Sequence, residues 1–109
     1  MEKGELWVLE LPSKRGKEQS GKRPGIIMAD TKTSLVLVIP LTSNLEALKE
    51  LPYTIEIKKS YTNKLEKDSV ALVFQLQAID KKRFISKIGN LESSYLNEIN
   101  RLIKELLKI

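Results

Sequence analysis

Apolar and polar residues alternate along most of this chain in short segments of period two, and one closing segment has a longer period. ELWVLEL at 5–11 mixes β-formers with alternation and predicts a strand. PSKRGKEQSGKRP at 12–24 is polar, bracketed by prolines and interrupted by two glycines, which predicts a long loop. Loops of that length in small domains are often functional. GIIMAD at 25–30 and SLVLVIPL at 34–41 predict two strands joined by the turn TKT. Their apolar runs are continuous, so both faces of these strands should be covered.

TSNLEALKELP at 42–52 predicts a single helical turn before Pro52, and YTIEIK at 53–58 a half-exposed strand. YTNKLEKD at 61–68 reads as a charged turn and SVALVFQLQAI at 69–79 as one long strand. DKKRF is a basic connection, followed by a short strand within ISKIGNL. In SSYLNEINRLIKELLKI the period changes: Tyr95, Ile99, Leu102, Ile103 and Leu106 recur at helical spacing. Ser93 and Ser94 are the available caps for this helix. Its plain reading is a lid on one side of a sheet; a partner-binding or dimer-forming helix is the alternative. Together the segments predict one domain over residues 1–109, mostly β (α+β), built as a strongly twisted, mostly antiparallel small barrel with a C-terminal helix.

Composition narrows the function. Of 109 residues 41% are hydrophobic, enough for one globular core and too many for a disordered chain. Cysteine and histidine are both missing, which excludes disulfides, zinc sites built on those ligands, and the usual general base near neutral pH. The net charge of +5 favours a polyanionic partner: nucleic acid, an acidic protein segment or an anionic membrane. MEKGELW lacks the pattern of a signal peptide, and LVLVI and VALVF are too short to span a bilayer. A soluble cytoplasmic protein without a membrane partner is the expectation.

Four stretches then stand in a recognisable order. GELWVLEL opens with a glycine, an acidic residue and an aliphatic and aromatic pattern. GKEQSGKRPGIIMAD joins a G-x-E-Q-x-G-x-R-P loop to a strand, IPLTSN places proline, threonine and serine at a strand end, and SVALVFQLQAIDKKRF is followed by IGNL. In these motifs, over nearly its whole length, the sequence resembles the MazF/PemK/Kid family of toxin endoribonucleases from toxin–antitoxin pairs. The resemblance implies an SH3-like small β-barrel with a twisted antiparallel sheet and a C-terminal α-helix, assembled as a homodimer. It further implies sequence-specific cleavage of single-stranded RNA, typically messenger RNA, without a metal or other cofactor. A MazE-like antitoxin would silence such a protein by laying an acidic, otherwise disordered tail along the same groove.

Metal-free RNA cleavage can use the ribose 2′-hydroxyl as internal nucleophile, so the protein's share is positioning and electrostatics. Arg23 is the leading catalytic candidate, because its guanidinium offers several donors to phosphate oxygens and stays charged at any working pH. Pro24 fixes the backbone after it and joins the substrate-binding set. The competing reading of Arg23 is a solvated loop arginine. Thr42 is the second catalytic candidate through its hydroxyl, and the resemblance carries the family's catalytic threonine to it. Its competing reading is a cap for the turn beginning at residue 43. Ser43 is a helper in the same place. Glu18, in the hallmark loop, either orients Arg23, acts on the proton, or is a charge-paired loop residue, and its neighbour Gln19 joins the substrate-binding set. Lys22 would meet phosphate, while Gln75 and Gln77 would read base edges from the groove wall. Trp7 and Phe74 could stack bases, although large aromatics in strands are more often core.

Two departures from the family pattern bear on mechanism. Phe74 stands where many relatives carry an acidic residue, and Lys17 where some Kid-like members carry histidine. Both favour a scheme led by arginine and threonine over one led by a carboxylate or imidazole. The alternatives are a catalytically weak or inactive member that only binds RNA or its antitoxin, and a gyrase poison like the CcdB inhibitors, whose barrel is similar.

Overall fold

The computed structural model describes residues 1–11 and 21–109. In chain order its elements are β1 (Glu5–Leu11), β2 (Gly21–Asp30), β3 (Leu35–Thr42), α1 (Ala47–Glu50), β4 (Thr54–Ile57), β5 (Ser69–Leu72), β6 (Gln77–Asp80), β7 (Phe84–Asn90) and α2 (Ser93–Leu107). The strands pair antiparallel in the order β4-β5-β3-β2-β1-β7, and β6 pairs with β3 as well. This is the mostly antiparallel sheet with a C-terminal helix that the sequence pattern predicts.

Continuous apolar runs in β2 and β3 are explained by cover on both faces. Ile26, Met28, Ile39 and Leu41 belong to one buried cluster with Leu6 and with Ile99 of α2. Their neighbours Ile27, Val36 and Val38 belong to a second cluster with Leu9, Leu11 and Ile79, edged by Trp7 and Phe84. Alternate residues therefore feed opposite cores, as period-two geometry requires. Helix α2 roofs the first cluster with Tyr95, Leu96, Ile99, Leu102 and Ile103. Its solvent face carries Arg101 paired to Glu98 at 2.7 Å and to Glu105 at 3.4 Å. The lid reading of this helix is correct. The expected serine cap is not: Glu92 occupies the capping position and makes no side-chain cap bond.

Two boundaries differ from expectation, each for a tertiary reason. Residues 21–24, expected as loop, are strand, because Gly21, Lys22, Arg23 and Pro24 pair with Leu11, Glu10, Leu9 and Val8 of β1. The expected single strand over 69–79 is broken by a 3₁₀ turn at Val73–Gln75. Between the pairs Leu41↔Ala71 and Val38↔Gln77, β3 advances three residues while its partner advances six. The surplus forms the turn beside Pro40, a residue with no N–H to offer a ladder. Phe74, within that turn, packs against the cluster of Ala47, Val70 and Leu72.

Pro40 also marks a parting of strands. Before it, β3 pairs with β2 as far as Gly25↔Pro40; after it, Leu41 and Thr42 pair with β5. Strand β2 meanwhile continues along β1. The two strands splay and leave a wedge-shaped opening between them. Gly25 sits at its apex, where a Cβ would lie 2.6 Å from Leu9 Cδ2 and 2.7 Å from Val38 Cγ1. Gly25→Ala should therefore destabilise the fold by about 1–3 kcal/mol through overpacking. Urea unfolding checks this: the midpoint should fall with an unchanged slope, whereas a parent-like midpoint would show that the strands can part freely.

Candidate active site

The wedge opens into a groove of about 360 Å³. One wall is Lys22, Arg23 and Pro24 of β2. Leu41 of β3 and Ser43, just beyond its end, contribute a second side, and a third is formed by Lys64, Leu65, Glu66 and Lys67 from the segment before β5. Val8 and Ile88 complete an apolar floor. Among the described lining residues four cations thus face one carboxylate around a floor of hydrocarbon, which is the make-up of a site for an anion that also carries an apolar face.

Arg23 is not the solvated loop residue of the competing reading. It is half-buried in β2 opposite Leu9, and its Nε is buried with no hydrogen-bond partner among the described residues. Buried donors are nearly always paired, so this one has a bond to gain from an acceptor brought against the Arg23 side chain at the groove wall. Gly25↔Pro40 is the last pair between β2 and β3: beyond it Arg23 pairs with Leu9 of β1 and Thr42 with Val70 of β5, so the two stand on the separate strands that flank the wedge, and Thr42 is not among the groove's described lining residues. Thr42 itself is buried, and its Oγ1 accepts the Asn44 backbone N–H at 3.2 Å. The turn-capping reading of Thr42 is therefore realised, and its O–H proton is left to donate. Ser43, next in the chain, is exposed and lines the groove, as do Lys22 and Pro24.

The glutamines are placed elsewhere. Gln75 lies buried in the 3₁₀ turn and Gln77 pairs with Val38 in β6; neither is among the groove's described lining residues. The Gln77 side chain donates to the Gln75 carbonyl at 3.2 Å. Glu18 and Gln19 fall outside the described residues, as does Lys17. Sequence reading missed Lys64, Glu66 and Lys67 altogether. The charge run in YTNKLEKD was the only signal, and a charged turn carries no mark of which groove it will border.

Among the described residues, the carboxylates with clearly lowered pKa lie away from the groove. Asp30 is held below its ordinary range first by the Lys32 backbone N–H, against opposing burial, with further help from Lys81. Glu5 is pushed up by burial, but its bond from Trp7, with Lys87 nearby, leaves it lowered in sum. No group of three or more acidic side chains that could hold a metal ion occurs among the described residues. Nor is any described helix long and apolar enough to cross a membrane.

A mostly antiparallel sheet with a C-terminal helix and a cationic, arginine-walled groove defines a class: a small β-protein with a groove suited to an anion. The relatives make the class specific. The model of the PemK-like, MazF-like toxins of type II toxin–antitoxin systems matches residues 2–107, and the chain belongs to that family. It is 33% identical over 107 residues to an endoribonuclease MazF of Staphylococcus saprophyticus, an alignment covering 94% of this chain and 88% of that one. Its fold is similar to the crystal structure of MazF from Deinococcus radiodurans, with TM-score 0.82, 22% identity, and coverage of 100% of this chain and 97% of the other. A MazE–MazF crystal structure from the same organism matches with TM-score 0.74 and 22% identity, covering 100% of this chain and 96% of the other.

Proposed function

We propose that this chain is a toxin that cuts single-stranded RNA by attack of a ribose 2′-hydroxyl on the adjoining phosphate. The bond from 2′-oxygen to phosphorus forms and the bond from phosphorus to the 5′-oxygen breaks. The hydroxyl proton passes from the 2′-oxygen to solvent water and solvent water returns one to the departing 5′-oxygen, giving a 2′,3′-cyclic phosphate and a 5′-hydroxyl. Arg23 donates to the non-bridging oxygens, where negative charge concentrates in the transition state, and it remains charged throughout. Thr42 lends its O–H to the same phosphate or to the attacking oxygen while Asn44 holds its lone pair. Lys22 and Ser43 hold the strand on either side.

The observation that carries this reading is the buried, unpartnered Nε of Arg23 on the groove wall. Family membership and the Staphylococcus relative's name support an RNA substrate. A MazE–MazF complex among the similar structures, and another described as an endoribonuclease with its cognate antitoxin, support neutralisation by an antitoxin. An acidic segment suits the cationic groove of this chain, and a homodimer is the assembly we assign to it.

The test is to incubate the purified protein with a long RNA in EDTA and map the ends. Cuts at a short recurring word that leave 5′-hydroxyl ends are expected. Intact RNA, or ends bearing a 5′-phosphate, would overturn the proposal, since a 5′-phosphate means that the 3′-oxygen left instead.

A further inference from the structure

The segment between β4 and β5 is a rigid piece of the groove. Asn63 is fully buried within it, and its side chain makes four hydrogen bonds. Oδ1 accepts the backbone N–H groups of Ser60 at 3.0 Å and Leu65 at 3.1 Å. Nδ2 donates to the Lys58 carbonyl at 2.9 Å and to Glu92 Oε1 at 3.1 Å. The other Glu92 oxygen accepts from Ser60 Oγ at 2.9 Å, and Ser60 Oγ in turn accepts the Asn63 N–H at 3.1 Å. Gly89 of β7 lets this knot approach: a Cβ there would lie 2.6 Å from the Asn63 carbonyl oxygen. Leu65 anchors the far side in the core beneath α2. A merely solvated turn requires none of this.

What the knot holds in place is the groove's third side. Lys64 has a left-handed backbone, with φ of 58°, and is exposed at the groove with Lys67. We infer that Lys64 and Lys67 bind a second backbone phosphate of the RNA, neighbouring the one held by Arg23, and that Asn63 and Glu92 are the positioning pair that fixes this wall. The inference rests on the reading of the groove as an RNA site. Cations on two sides of an apolar floor suit a single strand, whose bases lie on the part-exposed Val8, Pro24 and Ile88 while successive phosphates reach opposite rims. Two cationic walls held at a fixed spacing also restrict which backbone path fits, so this wall contributes to binding rather than to bond breaking.

The test measures binding of a single-stranded oligonucleotide that carries the mapped cleavage word, with deoxyribose at the cut linkage, as salt is varied. The parent's affinity should fall steeply with salt. In K64Q/K67Q the slope of log affinity against log salt should flatten by about 0.7 for each phosphate that is no longer neutralised. On cleavable RNA the same protein should show KM raised about tenfold with kcat within about twofold. Glu92→Ala tests the positioning pair, and it removes no helix-cap bond. Removing a negative charge would by itself tighten RNA binding, yet this variant should weaken it. Combined with K64Q/K67Q it should add little further loss, because both changes remove one interaction.

A flat salt dependence of the parent would overturn the RNA reading of the whole groove. A steep parent with an unaltered K64Q/K67Q would overturn only the second subsite. Unaltered RNA binding with weakened binding of polyglutamate would assign this wall to an acidic protein and equally overturn the subsite. Parent-like or tighter binding by folded Glu92→Ala would overturn the positioning role. K64Q/K67Q alters only exposed side chains, so that arm decides the subsite even if Glu92→Ala loses its fold.

Discussion

Arg23→Ala should lower the single-turnover rate of RNA cleavage about 10²–10³-fold, the usual cost of removing one donor aimed at developing charge. The donor is prepared for that task in the free protein. Half-burial in β2 strips water from its Nε, and no described neighbour takes the hydrogen bond. A phosphate entering the wedge meets a side chain whose Nε has no described partner to surrender, so its interaction strengthens as charge grows on the phosphoryl oxygens. Arg23→Lys should recover little of the loss, because a point ammonium lacks the planar fork and cannot place a donor where Nε stands. Stability should move the other way. An unpaired buried donor is a cost to the folded state, so Arg23→Ala should leave the urea midpoint equal or higher. A variant that is both slower and less stable would mean that Arg23 supports the fold. One that cuts at the parent's rate would remove Arg23 from the chemistry.

The same residue shows what a sequence can and cannot display. Arg23 and Pro24 were legible as candidates because a cation and a rigid backbone stand directly before an apolar run, inside the G-x-E-Q-x-G-x-R-P motif. The strand-like nature of 21–24 was hidden, since nothing in GKRP is β-forming by itself; the pairing with Leu9, Glu10 and Leu11 of β1 imposes it. Strands β2 and β3 were legible together with their burial, because runs without polar gaps need two covered faces. The break at Val73–Gln75 was not, because its cause lies on another strand, at Pro40, and an uninterrupted apolar run such as VALVF gives no sign of it. Lys64 and Lys67 belong to the same class of hidden feature. Their place in the groove depends on Asn63, Gly89 and Glu92 meeting across 29 residues of chain.

Replacing the ribose on the 5′ side of the mapped cut by deoxyribose should slow cleavage there by about 10³–10⁶-fold. The size follows from what the enzyme would have to use instead. A well-placed internal nucleophile acts at an effective concentration of about 10⁵–10⁸ M, and the substitute, bulk water, stands at only roughly 55 M. The groove's described carboxylate, Glu66, is exposed, the nearby Thr42 Oγ1 already accepts the Asn44 N–H, and the lysines and Arg23 are donors that cannot activate a water. Binding should change little, because Arg23 and the lysines bind phosphate oxygens rather than the 2′-hydroxyl. The two measurements separate the roles of the molecule: the protein supplies a rigid, charged wedge, and the RNA supplies the attacking atom. Cutting of the deoxy substrate at anything near the parental rate would require an external nucleophile, and the place to seek one would then be Thr42 or a water held between it and Arg23.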